Sequence, residues 1–167
     1  MYENKYCRHC NYYINHCSCV RIKKCNSIEN ISADLLSFDL NVTEAVDFDK
    51  LTSKGLPVIV DYGAEQCIPC KNMAPVLEKL NKEMSGRVYI KFADVWKYPD
   101  INKNIYAKII PYQVFFDKNS KPYEPSMEVL SYVNFITKTD NGKHTFTMHI
   151  GELKENQMRM IIKDMEK

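Results

Sequence analysis

The chain has 167 residues, 45% of them hydrophobic and 26% charged, with a formal net charge of +2. That length holds one domain with a small appendage and a sizeable core, and the near-balance of charge gives no ground for binding nucleic acid or an anionic membrane. No apolar run approaches the ~20 residues needed to span a bilayer, so no membrane insertion is expected.

Residues 1–27 form a cysteine-rich head holding Cys7, Cys10, Cys17, Cys19 and Cys25, five of the seven cysteines. It has no Gly or Pro, carries His9 and His16, and sets Lys5, Arg8, Arg21, Lys23 and Lys24 against Glu3. So few aliphatic residues cannot close a core, and the segment needs a staple or stays solvated. The opening Met1–Cys7 lacks the apolar centre of a secretory signal, which makes the cytoplasm the expected compartment. In a reducing compartment, clustered thiols read as metal ligands or redox groups. Zinc on Cys7, Cys10 and two of Cys17, Cys19 and Cys25 is the preferred picture, because two short-spaced pairs supply four ligands. His9 and His16 are substitutes, and an iron–sulfur cluster would use the same thiolates. Auxiliary redox thiols or a solvated tail are the alternatives. Tyr2, Tyr6, Tyr12 and Tyr13 beside the cations raise nucleic acid as a rival partner, but a short basic arm is more commonly a solvated segment.

Residues 28–41 read as a linker, with Phe38 and Leu40 in a short strand. Thr43 to Lys54 is predicted as a helix capped by Thr43, with Val46, Phe48 and Leu51 on its apolar face and Gly55 ending it. Leu56–Tyr62 is a continuous apolar run, the pattern of a buried parallel strand. Cys67 to about Met84 follows with helical spacing, Met73, Val76, Leu77 and Leu80 on one side, and Pro75 inside it predicts a kink. Val88–Val95 is a second central strand, Pro99–Ala107 a short helix, and Tyr112–Phe116 a further strand. Lys118–Lys121 is a turn. Residues 122–138 have no assigned element, and Met127, Val129, Leu130, Tyr132, Val133, Phe135 and Ile136 within them are read as packing. Thr139–Gly142 is a hairpin turn, since Asn-Gly tolerates positive φ. Lys143–Ile150 is an edge strand, with His144 and His149 as structural or surface residues, and Leu153–Met165 a closing amphipathic helix. This order predicts an α/β domain over residues 42–167 with a mixed sheet flanked by helices.

The remaining two cysteines form Cys67-Ile-Pro-Cys70, between a buried strand and a helix. At a helix start, unpaired N–H groups and the dipole favour an anion, so Cys67 is expected to ionise below the ~8.5 of a free thiol. Its thiolate would attack a disulfide and Cys70 would resolve the mixed disulfide. The alternative is half of a zinc site.

The stretch Leu56-Pro-Val-Ile-Val-Asp-Tyr-Gly-Ala-Glu-Gln-Cys-Ile-Pro-Cys-Lys-Asn-Met-Ala-Pro75, with Ile109-Ile-Pro111-Tyr-Gln-Val-Phe-Phe downstream, resembles the two landmarks of thioredoxins. The resemblance covers roughly residues 42–167 and implies the thioredoxin fold, thiol–disulfide exchange on protein disulfides, no catalytic cofactor, and a thioredoxin reductase or membrane thiol reductase as electron donor. It implies that Asp61 is the buried acid that shuttles a proton to or from Cys70. It also implies that Pro111 follows a cis peptide bond and that Ile110 offers its backbone to substrate. Gln66 stands where thioredoxins usually carry Trp, Gly63 where another aromatic is usual, and Ile68-Pro69 where Gly-Pro is usual. Trp96 is read as packing. The long stretch 122–138 resembles thioredoxin-like proteins associated with membrane thiol reductases of cytochrome c biogenesis. The rival function is a zinc-binding interaction module in which the domain serves in partner docking.

Overall fold

A computed structural model describes residues 36–103, 105 and 108–167. The cysteine-rich head, with Cys7, Cys10, Cys17, Cys19 and Cys25 read as candidate metal ligands, lies outside the described residues. The described residues belong to one compact unit.

The sheet is built from β1 (Asn41–Val42), β2 (Val58–Gly63), β3 (Tyr89–Asp94), β4 (Tyr112–Phe116), β5 (Ile136–Asp140) and β6 (Lys143–Ile150). Their order is β1-β3-β2-β4-β6-β5. β1 and β2 run parallel to β3, whereas β4 is antiparallel to β2, β6 to β4 and β5 to β6. The helices are α1 (Phe48–Thr52), α2 (Ile68–Glu83), α3 (Met127–Leu130) and α4 (Glu155–Met165). A mixed sheet flanked by helices is therefore the architecture found.

β2 is buried along its whole length, because both faces of the sheet are covered. Side chains alternate across a strand, so Ile59 joins Met73, Leu77 and Leu80 of α2 and Ile161 of α4 on one face. Val58, Val60 and Tyr62 pack on the other with Leu51, Tyr89, Tyr112 and Phe116. A strand with two buried faces reads as an apolar run, which is why the sequence located it.

Several elements differ from their sequence readings. The first helix is a short Phe48–Thr52, and its cap is Asp47, whose carboxylate accepts the Lys50 N–H at 3.1 Å. Aspartate is the stronger cap, and Val46 is buried ahead of the helix rather than within it. Pro99–Asn102 is a single 3₁₀ turn, continued by an Ile105 N–H to Asn102 bond of 2.9 Å with the same tight spacing. Residues 36–40, at the end of the linker read from sequence, are bound to the sheet. Phe38 stacks on Tyr89 at 4.6 Å, and the buried Lys91 donates from Nζ to the carbonyls of Ser37 (2.7 Å) and Asp39 (2.8 Å). Pro75 sits inside α2, which continues to Glu83. The hairpin turn is as read, with Asn141 at φ 48° and Gly142 at φ 75°.

The unassigned stretch contains α3 and then β5, which lengthens the sheet at its edge. Its packing reading holds for Val129 and Val133, buried at 1% and 3% exposure, and for Phe135, which packs against the core. It fails for Met127, Leu130, Tyr132 and Ile136, which are exposed. A one-turn helix and an edge strand each bury one side; Met127, Leu130 and Ile136 occupy the other, and Tyr132 lies in the loop between the two elements. Asp164 of α4 pins the start of the stretch, accepting the Tyr123 O–H at 2.6 Å and the Ser126 N–H at 2.9 Å. Burial pushes the Asp164 carboxyl up, but hydrogen bonds from Lys167, Tyr123 and Ser126 outweigh it and hold the group at about 2. Tyr123→Phe is expected to cost about 1.5–3 kcal/mol at pH 7, the worth of a hydrogen bond to a charged group. In urea titrations the Asp164 contribution should be full above the unfolded carboxyl value of 3.8 and fall away as pH drops through about 2.

Candidate functional site

The site lies where β2 runs out and α2 begins. Cys67 is the N-cap of α2, with extended backbone at φ −75°, ψ 124°. Its N–H donates to the Ala64 carbonyl at 3.1 Å and its carbonyl accepts the Lys71 N–H at 3.0 Å. Pro69 sits in the first turn, where a missing N–H removes no helical bond. Cys67 and Cys70 are joined as a disulfide with Cα atoms 5.2 Å apart, and the Cys70 N–H points at Cys67 Sγ, 3.4 Å away. Cys67 is 9% exposed and Cys70 4%, so Cys70 is the more deeply buried residue of the two.

Glycine at position 63 has a local reason. A Cβ there would lie 3.0 Å from Cys70 Sγ and 3.0 Å from the Phe92 ring, so the strand backbone closes directly on the inner sulfur. The side chain that the resemblance expects at this position is replaced by that contact.

Asp61 precedes Gly63 by two residues and shares its face of the sheet. It is wholly buried. Burial pushes its carboxyl from 3.8 up to about 7, against the opposing hydrogen bond from Gln113. That bond, from Gln113 Nε2 to Asp61 Oδ1, is 2.6 Å long. Gln113 is itself wholly buried in β4 and was not singled out from sequence. The available signal was a polar residue inside the apolar run Tyr112–Phe116, which demands a buried partner.

The Ile110–Pro111 peptide bond is cis. Ile110 packs against the small cluster of Ala64, Cys67 and Cys70, so the downstream motif is brought to the cysteine pair. Tyr112 follows and stacks on Tyr62 at 4.7 Å on the far face of the sheet. Ile68, Ile109 and Trp96 are exposed. Trp96, read as packing, is 57% exposed; it follows Asp94, whose carboxylate holds the N–H groups of Glu65, Trp96 and Lys97 and so uses the turn's polar groups rather than its aromatic ring. His144 bonds within β6 and His149 bonds the Asn134 carbonyl through Nδ1 at 2.7 Å, in keeping with structural roles. Among the described residues, no group of three or more His, Cys, Asp or Glu is arranged to hold a metal ion. Among them, too, no helix is long and apolar enough to cross a membrane.

A disulfide at a helix start, backed by a buried proton-holding carboxyl, is equipped to exchange electrons with another disulfide. A family model described as thioredoxin matches residues 39–137 of this chain. Thioredoxin of Rickettsia felis is 32% identical over 76 residues, covering 46% of this chain and 72% of that protein. The bifunctional thioredoxin reductase/thioredoxin of Mycobacterium leprae is 34% identical over 77 residues, 46% of this chain and 17% of that one. Chloroplastic thioredoxin Y of Oryza sativa is 33% identical over 76 residues, 45% of either chain. Among solved structures, chloroplastic thioredoxin z aligns at a TM-score of 0.49 and 26% identity, covering 74% of this chain and 94% of that one.

Proposed function

The chain belongs to the thioredoxin family of thiol–disulfide oxidoreductases, and from that premise we propose that it reduces protein disulfides with Cys67 as nucleophile, Cys70 as resolving thiol and Asp61 as proton acceptor. The observation that carries this reading is the placement of Cys67 as N-cap of α2, with the Cys70 N–H aimed at its sulfur. In the reduced state the same N–H and the helix dipole favour a Cys67 thiolate. That thiolate attacks one sulfur of a substrate disulfide; the substrate S–S bond breaks, and the departing thiolate takes a proton from water. Cys70 then passes its proton to the Asp61 carboxylate and attacks Cys67 Sγ, expelling the second substrate sulfur as a thiolate that takes a proton from water, and leaving the Cys67–Cys70 disulfide. Two electrons have moved to the substrate. A carboxyl held at about 7 suits this step near neutral pH. No cofactor takes part.

The cluster of Ile110 with the cysteine pair supports Ile110 and Pro111 as substrate contacts. Thioredoxin reductase is the favoured electron donor: the Mycobacterium leprae relative carries both activities in its name, which gives it stronger support than the membrane thiol reductase.

Insulin reduction driven by thioredoxin reductase and NADPH, or by dithiothreitol, is the direct assay. Cys70→Ser should trap a covalent complex through Cys67 with a disulfide-bearing protein, seen as a mass adduct that dithiothreitol releases. An adduct carried by Cys67 supports the assignment, and an adduct on another cysteine overturns it.

A second reading concerns the head. Five cysteines within residues 1–27 favour zinc on Cys7, Cys10 and two of Cys17, Cys19 and Cys25, which would let the head dock partners. Elemental analysis should find one zinc per full-length chain and none after removal of residues 1–27. Metal retained by the truncated chain would instead point to Cys67 and Cys70.

A further inference from the structure

Gln113 and Asp61 form a pair with matched loose ends. Gln113 Nε2 donates to Asp61 Oδ1 at 2.6 Å and to the Gly151 carbonyl at 3.2 Å. A backbone carbonyl only accepts, so Gly151 dictates which end of the amide is nitrogen. Asp61 Oδ2 and Gln113 Oε1, the other two atoms of the pair, are buried without a hydrogen-bond partner. With Asp61 ionised both are acceptors and neither can serve the other. With Asp61 protonated on Oδ2, that oxygen becomes a donor and the amide oxygen of the same neighbour is an acceptor for it. A carboxylic acid and an amide can satisfy each other in this way through two hydrogen bonds.

We propose that Gln113 is a positioning residue for proton transfer, donating to Asp61 as a carboxylate and accepting from it as an acid, so that the buried group can change charge without losing its partner. The proposal rests on Asp61 being the proton acceptor for Cys70. It accounts for a buried amide in an apolar strand, where a leucine would pack without polar cost. Gly151 anchors the amide, and its own N–H donates to the Pro111 carbonyl at 2.8 Å, which ties the pair to the substrate-facing loop.

The other ionisable groups around Asp61 have separate engagements. From α2 comes Cys70, whose sulfur lies against Gly63. On β3, Asp94 holds the turn N–H groups and Lys91 faces the opposite side of the sheet, bonded to the Ser37 and Asp39 carbonyls. Tyr112 of β4 lies across the sheet and interacts electrostatically with Asp61. His149 of β6 is the register partner of Gln113, and Glu152 beyond it accepts from Asn72 at 2.9 Å.

The test follows the carboxyl itself. In reduced protein labelled with ¹³C-aspartate, the Asp61 side-chain resonance, assigned by its loss in Asp61→Asn, is titrated in wild type, Gln113→Met and Gln113→Leu. The bond to the carboxylate is charge-assisted and outweighs the neutral bonds to the acid, so losing Gln113 should raise the Asp61 midpoint, which its hydrogen bond holds down, by up to about one pH unit, with the pH profile of insulin reduction moving alike. Both variants fill the amide's space without its polar atoms. An unmoved midpoint in a folded variant overturns the role of Gln113. A profile already unchanged in Asp61→Asn would instead overturn the Asp61 assignment beneath it. Wild-type protein alone gives a further check. The infrared C=O stretch of protonated Asp61 should sit at the low frequency of a doubly hydrogen-bonded acid, and a free-acid band would contradict the proposal.

Discussion

Cys67→Ser is expected to reduce insulin-reductase turnover by on the order of 10³-fold or more, the scale on which removal of a covalent nucleophile acts. A serine hydroxyl neither ionises near neutral pH nor forms a bond to sulfur that Cys70 can break. The fold should survive. Cys67 occupies an N-cap, serine is among the preferred residues there, and its side chain is close enough to cysteine in size to leave no sizeable cavity at this buried position. Circular dichroism and urea midpoints close to those of reduced wild type, alongside the lost turnover, would assign the effect to chemistry. The contrast with Cys70→Ser is the sharper measurement: that variant keeps the attacking sulfur and should still form one covalent adduct per chain, which Cys67→Ser should not. Turnover surviving Cys67→Ser would remove Cys67 from the mechanism.

Asp61→Asn should have opposite effects on stability and on rate. The folded chain holds the Asp61 proton to about pH 7, whereas the unfolded chain releases it near 3.8. Between those values the unfolded state binds fewer protons, so each rise in pH favours unfolding, and the whole penalty is present above pH 7. The gap of about 3 pH units corresponds to about 4 kcal/mol at 1.36 kcal/mol per unit. Asparagine carries no charge and can still accept from Gln113, so the variant should be more stable than wild type at pH 8 by up to about 4 kcal/mol, with the difference vanishing below pH 4. Denaturant midpoints at the two pH values measure it directly. Turnover should fall by roughly 10- to 100-fold at pH 7, at or below the lower end for a positioned acid–base group, because the Cys70 proton can still leave to water. An Asp61→Asn protein no more stable than wild type at pH 8 would show that the carboxyl is not held back by burial.

The sequence carried the site's position but not its wiring. The apolar run of β2, the cysteine at a helix start and Pro111 before β4 are all local patterns, and each landed where it was read. Gly63 looked like a departure with no cause until the Cys70 sulfur was found against it. Trp96 was read as packing from its size alone, since apolar character does not say which side of a turn a ring will take. The exposed half of the 122–138 stretch escaped for the same reason: a four-residue helix is too short to display a period.

What the sequence determined by itself were features whose cause lies within about one helical turn or one strand, such as a cysteine at a helix start and a run buried on both faces; the cap of the first helix, read at Thr43 and found at Asp47, is the exception. Only the tertiary structure decided which polar groups meet. Asp61 and Gln113 are 52 residues apart in the chain, and they become neighbours because β4 pairs antiparallel with β2 in a register that sets one opposite the other. Register is a property of two strands together, fixed by how both faces of the sheet fill, and neither strand's own pattern encodes it.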